Sequence, residues 1–348
     1  WIEMNKKKID KDLIEVIDFF INSKSYNSVS RIWHINNIRH INQINEIGIE
    51  SFASTVALDY FTFTDFDDQI IKNLITKFDK DNKISSITNI DIFKKYKNLG
   101  YSHSINHNIV LNLLYSYLKY YGDVALLEIY RNNNYLIDQS PYIEIDNIKI
   151  NHDRINSALE YVKIENILDK YEDNINIVEI GAGAGRLTET ILAHQKKKIK
   201  YFVVDIPPAL YINFLRVKKN FSNKKIGIAV NINTVSELMN YCKDKDILFL
   251  MPHQLEMLKD ININLFVAID CLHEMDKKSI KYYMDNIDRL GEYFYFKVLN
   301  ETYVPYSFKN YLSASDKKSY YIRQNWNEIF KDECVFPSNY FEFAYKIK

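Results

Sequence analysis

Glycine is scarce in this chain, with 8 in 348 residues, where ordinary usage of roughly 7% would supply about three times as many. Cysteine is scarcer still: Cys242, Cys271 and Cys334 are far apart, odd in number and without CxxC spacing, which excludes a disulfide framework and a zinc ribbon. That usage leads us to expect a reducing, cytoplasmic setting. Excess charge of either sign is absent, since 45 Lys and Arg balance 45 Asp and Glu. Nothing in the overall charge therefore draws the chain to nucleic acid or an anionic membrane. Long apolar runs are missing too. The longest, such as Ile247 to Met251, are near five residues, against about 20 for a spanning helix. What is abundant is apolar and aromatic surface, 47% hydrophobic residues with 20 Phe and 27 Tyr. That is enough to offset the entropy of ordering, so disorder is excluded as well.

The first 140 residues read as mainly helical. Leu13, Val16, Ile17 and Phe20 recur at i, i+3, i+4, i+7, and Ile109, Leu113, Tyr117 and Tyr120 nearly repeat the pattern before Gly122, a C-terminal stop. We expect a helical N-terminal region over 1–140, a lid or an oligomerisation surface, and a second domain over 141–348. The alternation IEIDNIKI after Pro141 predicts a small hairpin turned by Asp146 and Asn147, and a helix from Asp153 to Leu168 follows. Short apolar strands then alternate with amphipathic helices. The strands are Ile175 to Ile180, Lys200 to Val204, Ile247 to Met251, Leu265 to Ile269 and Tyr293 to Val298, with a last pair between Cys334 and Ile347. This order predicts an α/β fold, a doubly wound, mostly parallel Rossmann-like sheet with an antiparallel C-terminal strand.

Three of the few glycines, Gly181, Gly183 and Gly185, stand within five residues of one another where the first strand meets a helix. Glycine there lets the backbone turn and lets a ligand approach it closely, and the helix offers free N–H groups. The dinucleotide fingerprint GxGxxG would place its third glycine at 186, where this chain has Arg186. Glu179 lies two residues before Gly181, and Asp205 ends the second strand, 20 residues after Gly185. An acid there can accept hydrogen bonds from ribose hydroxyls. The other reading of Asp205 is a helix N-cap before Pro207.

The pattern ExGxGxG resembles that of class I S-adenosylmethionine methyltransferases. IVEIGAGAGRL, YFVVDIPPALY, FLMPHQ, CLHEM and YFYFKV together resemble a bacterial sugar O-methyltransferase family over about residues 140 to 300. The resemblance implies S-adenosylmethionine as cofactor, held by Glu179 at its methionine end, by Gly181, Gly183 and Gly185, by Asp205 and Ile206 at the ribose, by Met251 and His253 at the adenine, and by Asp270. The chain departs from that family at the fourth strand, where Asp270 and Cys271 replace an Asn- and Ser-containing motif.

Ligands collect at the carboxyl ends of strands in such sheets, which puts Asp270 to Asp276 on the acceptor side. Methyl transfer to oxygen needs a hydroxyl held in line and a route for its proton. His273 is the first choice of base, as the resemblance also implies, with Glu274 to orient it or to serve instead. A rival chemistry is Mg²⁺ held by Asp270, His273, Glu274 and Asp276. His103 and His107, four apart, together with Lys297 and Tyr303, are further candidates for the acceptor cleft. The function expected is methylation of a sugar hydroxyl in a nucleotide sugar or glycan. An NAD(P)-dependent oxidoreductase and a catalytically silent binding module are the alternatives.

Overall fold

The computed structural model describes residues 10–49, 103–121, 123–131, 142–259, 261–305, 311–337 and 339–348. Two helices come first, α1 (Lys11–Ile21) and α2 (Arg31–Ile47). Asp10 caps α1 by accepting from the Asp12 N–H at 3.0 Å, and Leu13, Val16, Ile17 and Phe20 form its buried stripe, as the periodicity predicts. Helix α3 (His103–Tyr121) and a 3₁₀ segment (Asp123–Tyr130) lead to the hairpin β1 (Ile143–Ile145) and β2 (Ile148–Ile150). Asp146 and Asn147 both take positive φ, 51° and 59°, the conformation that a two-residue type I′ turn requires and that Asp and Asn tolerate. Gly122, the expected stop of α3, lies outside the described residues.

Helix α4 (His152–Leu168) carries the chain into the main sheet. Its strands are β3 (Ile175–Ile180), β4 (Ile199–Val204), β5 (Ile226–Ile228), β6 (Ile247–Leu250), β7 (Ile263–Ile269), β8 (Gly291–Leu299), β11 (Asn327–Glu333) and β12 (Tyr340–Lys346). A two-stranded excursion, β9 (Glu301–Tyr303) with β10 (Tyr311–Ser313), leaves the sheet after β8. Between strands run α5 (Arg186–His194), α6 (Ala209–Asn220), α7 (Val235–Cys242) and α8 (Lys277–Leu290).

The spatial order is β11-β12-β8-β7-β3-β4-β6-β5. Only β12 runs against its neighbours, inserted antiparallel between β8 and β11. This is a Rossmann-like α/β fold with an antiparallel strand near one edge. Two expectations change. The last pair begins earlier than Cys334, at Asn327, because polar residues on the exposed β11 hide its period from the sequence. The edge strand β5 is three residues long with a central glycine, too short for periodicity to register.

Alternate residues of each strand feed two cores. Ile175 and Ile177 pack with α4, α5 and α6, and Val178 and Ile180 with α7 and α8. The stripe of α1 and Ile41 and Ile44 of α2 join the first of these cores directly. The N-terminal helices thus bury their apolar faces against the doubly wound unit. A third cluster ties α3, the 3₁₀ segment and the β1–β2 hairpin to Ile155 and Ala158 of α4.

Candidate active site

The chain order reverses between β3 and β7, which are adjacent in the sheet. The first connections run one way, through β4 and β6, and the later ones run the other way, through β7 and β8. Such a switch point leaves a crevice at the carboxyl ends of the two strands. Gly181 follows β3 and Asp270 follows β7, so the glycine loop and the Asp270–Glu274 turn face each other there.

The loop's glycines do different work. Gly181 has φ +69°, and a Cβ on it would stand 2.4 Å from the Cβ of Cys271; the strand ends leave no room for a side chain. Gly183 has φ +56° and open space where a Cβ would be, so nothing in the described chain packs against that side of its backbone. Gly185 is the N-cap residue of α5. The carboxylate of Asp205 spans this loop, with Oδ2 accepting from the Gly183 N–H at 2.6 Å and Oδ1 from the Ile206 N–H at 2.7 Å. A carboxylate offers about four lone-pair directions, so each oxygen keeps one for a further donor. Burial pushes the Asp205 pKa up to about 7. Both Pro207 and Pro208 precede α6, with Pro208 at its N-cap.

Glu179 lies beneath the loop. Its Oε2 accepts from the Thr188 hydroxyl at 2.6 Å and the Tyr201 hydroxyl at 2.8 Å, and burial raises its pKa to about 6. The acid expected at the methionine end fastens the first turn of α5 to β4. Arg186, standing where a dinucleotide loop has its third glycine, donates to the buried Glu160 with both terminal nitrogens and lies 3.6 Å from Asp270 Oδ2. The Lys297 ammonium donates to Glu160 Oε1 at 3.0 Å, Asn156 Oδ1 at 2.9 Å and the Phe336 carbonyl at 2.9 Å. It is 1% exposed with all three hydrogens engaged, which leaves nothing for an acceptor. Lys297 belongs to the scaffold, contrary to expectation.

Across the crevice from the loop, Asp270 takes φ +55°. Its Oδ1 and the Nδ1 of His273 are buried without a hydrogen-bond partner among the described residues. Burial lowers the His273 pKa to about 4, so the ring is neutral at physiological pH. Burial has the opposite effect on Glu274, raising its pKa to about 8, while the hydrogen bond from Trp33 pulls the other way. Trp33 Nε1 of α2 donates to Glu274 Oε2 at 2.9 Å, so the N-terminal region reaches the site. Tyr340, at the start of β12, completes the group: its ring centroid lies 5.7 Å from that of His273, edge to face, and Asp270, Glu274 and Arg186 all act on its phenol electrostatically.

Trp33, Glu160 and Tyr340 carry no sequence signal, since each is distant along the chain from the residues it meets. Arg186 did carry one, as the residue that breaks the dinucleotide pattern. Of the other candidates, Met251 is 1% exposed within the main core and packs rather than lining open space. His253 faces Phe19 of α1, with ring centroids 5.6 Å apart. Tyr303 is 58% exposed on β9 and pairs with Tyr311 at 5.2 Å between ring centroids. His103 and His107 fall on α3, but their side chains lie outside the described residues. The Mg²⁺ alternative loses its ligand set: Asp276 is the N-cap of α8, accepting from the Ser279 N–H at 2.7 Å, and among the described residues no three His, Cys, Asp or Glu side chains converge to hold a metal.

A buried carboxyl with a raised pKa makes folding favour its protonated form. Stability tied to Glu274 is therefore fully present below its ordinary value of 4.5 and is lost as pH rises through about 8. Urea titrations across that window should show a falling midpoint, to which Glu179 and Asp205 also contribute, and Glu274→Gln should lessen the fall. An equally steep decline in the variant would show that Glu274 is not the group responsible.

No helix among the described residues is long and apolar enough to cross a membrane. No protein-family profile matches the chain, and no curated protein matches it in sequence. Among solved structures it is similar to a Thermoplasma acidophilum protein, 1320, at 11% identity over 56% of this chain and 89% of that one, with TM-score 0.36. It is similar to an S-adenosylmethionine-dependent methyltransferase from Clostridium acetobutylicum at 13% identity over 65% of this chain and 98% of that one, with TM-score 0.35. A third is M. capricolum TrmK in complex with S-adenosyl-homocysteine, at 12% identity over 53% of this chain and 68% of that one, with TM-score 0.33.

Proposed function

We propose that this chain is an S-adenosylmethionine-dependent O-methyltransferase whose acceptor is a sugar hydroxyl, in a nucleotide sugar or a glycan. The observation that carries the reading is the cradle at the switch point. Gly183 has open space where a Cβ would be, Asp205 keeps an accepting direction on each oxygen for a ribose diol, and Asp270 holds an unpartnered buried oxygen opposite the loop. When bound, the cofactor supplies an electrophilic methyl group. An NAD(P) reading is weaker on two counts. Arg186 fills the third-glycine position and sends its side chain to Glu160, and the antiparallel β12, inserted between β8 and β11, departs from the classic parallel strand order of dinucleotide domains.

Asp270, His273, Glu274 and Tyr340 present hydrogen-bonding groups to the acceptor side, while the nearby cation Arg186 is committed to Glu160. That suits a polyhydroxylated moiety better than a phosphate at the reacting end, and with the sequence resemblance it supports a sugar hydroxyl. For the proton, burial reverses the order expected from sequence. A base works best with a pKa near the working pH, and Glu274 at about 8 fits where His273 at about 4 does not. Glu274 takes the hydroxyl proton, Trp33 holds its carboxylate in place, and the neutral His273 ring orients the acceptor. Trp33 brings α2 to the site, where the N-terminal helices would help to exclude water.

Incubating the chain with isotope-labelled S-adenosylmethionine and a panel of nucleotide sugars and glycans, followed by mass spectrometry, tests the reading. S-adenosylhomocysteine should raise the melting temperature and NAD should not; the reverse result rejects it. With an acceptor in hand, the rate should climb about tenfold per pH unit below about pH 8 and then level. Glu274→Gln should lose that dependence along with roughly 10²- to 10⁴-fold in turnover. A rate already level from pH 5 upward would return the base to His273.

A further inference from the structure

Three tyrosines on strands of the main sheet use their hydroxyls within the chain. Tyr201 donates to Glu179 at 2.8 Å, Tyr295 to Glu342 at 2.8 Å and Tyr345 to Glu328 at 3.0 Å. Tyr340, which opens β12, differs from them. Its ring is engaged, but its hydroxyl makes no hydrogen bond among the described residues, and it is not among their buried unpartnered atoms.

The residue is fixed in place by everything except that hydroxyl. Tyr340 stands opposite Leu299 in the antiparallel ladder with β8. Its carbonyl accepts from the Cys334 N–H at 2.8 Å, and the Asn339 carbonyl before it accepts from the Asn300 N–H at 2.7 Å. The ring lies edge to face with His273 and has the Lys297 ammonium 5.9 Å from its centroid. A phenylalanine would make all of these contacts, so the hydroxyl has no part in holding the fold. It belongs to a half-buried residue within electrostatic reach of Asp270, Glu274 and Arg186. Burial, reinforced by the two carboxyl groups, pushes the phenol pKa far above its usual value. The phenol therefore keeps its proton, cannot serve as the base and remains a donor. A donor on a rigid ring, beside two carboxyl groups and bonded to neither, is preorganised for a hydroxyl brought by a ligand.

We propose that Tyr340 is the residue that selects the acceptor, hydrogen-bonding a second hydroxyl of the substrate beside the one that is methylated. The inference rests on the methyltransferase reading and narrows it: the acceptor class is a ring carrying at least two hydroxyls, and a lone alcohol or phenol is a poor substrate. Discrimination of this kind is strong where a site is built to pair a substrate hydroxyl, because an analogue that lacks it leaves the site's own group unpaired.

The test uses labelled S-adenosylmethionine with methyl glucoside, methyl mannoside, methyl rhamnoside and UDP-glucose, each beside its monodeoxy derivatives, and with cyclohexanol and phenol as single-hydroxyl comparators. For a sugar that is methylated, one monodeoxy derivative should lose about tenfold in kcat/KM, the size of one neutral hydrogen bond, without losing the reacting oxygen. Tyr340→Phe should lose the same factor on the parent sugar and show no further loss on that derivative, with its melting temperature and its affinity for S-adenosylhomocysteine unchanged. A variant equal to the parent chain on every sugar overturns the proposal, as does one that loses the same factor on all the monodeoxy derivatives, or methylation of cyclohexanol or phenol as fast as of the sugars. Calorimetry with S-adenosylhomocysteine tells these failures from a deeper one: a chain that does not bind it, or that methylates no sugar, loses the underlying reading and this inference with it.

Discussion

Replacing Gly183 by Leu should leave the chain folded while cutting affinity for S-adenosylhomocysteine at least about 100-fold, or about 2.7 kcal/mol. The position has φ +56° and nothing within 4 Å of where a Cβ would sit. The backbone cost is that of one residue in the left-handed region, roughly 1–2 kcal/mol, which a domain of this size tolerates. The side chain would occupy the space proposed for the cofactor. Calorimetry with S-adenosylhomocysteine and a parallel melting curve separate the two effects. Gly181→Ala is the contrast, since its Cβ would meet Cys271 at 2.4 Å; there stability should fall with binding. Undiminished affinity in a folded Gly183→Leu chain would remove the loop from the cofactor site.

Removing the carboxylate of Glu160 should be among the most damaging single substitutions. Glu160 is 1% exposed and sits between Arg186 and Lys297. Burial works to raise its pKa, but the two cations outweigh burial and hold it below the usual value. Glu160→Leu would strand the ammonium of Lys297 inside the protein and release the Arg186 side chain. Leaving a buried charge uncompensated costs about 3–5 kcal/mol, to be read from urea unfolding. Lys297→Met alone keeps the Arg186–Glu160 pair and should cost less, and adding it to Glu160→Leu should recover part of the loss. A Glu160→Leu chain within about 1 kcal/mol of the parent would deny the network its anchoring role. The consequence reaches the site, because Arg186 begins α5 directly after the glycine loop and lies beside Asp270.

The parts of the structure that sequence conveyed are those fixed by neighbours along the chain. The stripe of α1, the Asp146–Asn147 turn and the strand from Ile175 to Ile180 each depend on a repeat or a turn preference within a few residues. The same holds for the glycine loop and for Asp205, whose places at strand ends follow from the alternation of strand and helix. Where the signal was short or polar, as in β5 and β11, it failed.

The state of the side chains around Asp270 and Glu274 depended on other information. His273 and Glu274 are adjacent in sequence, yet burial drives their pKa values apart, to about 4 and about 8, which the residue types alone do not convey. Lys297 looked available at a strand end and is enclosed by Asn156, Glu160 and the Phe336 carbonyl. Trp33 meets Glu274 across 241 residues of chain, and Lys297 meets Glu160 across 137.

The sequence alone determined the class of sheet, the place of the glycine loop and the acid that faces it, because periodicity, turn chemistry and strand–helix alternation are local. Only the tertiary structure decided which side chains stay free to act. Solvation and partnership depend on what the fold brings together from distant segments, and they set both the charge a buried group carries and whether its hydrogens are already in use.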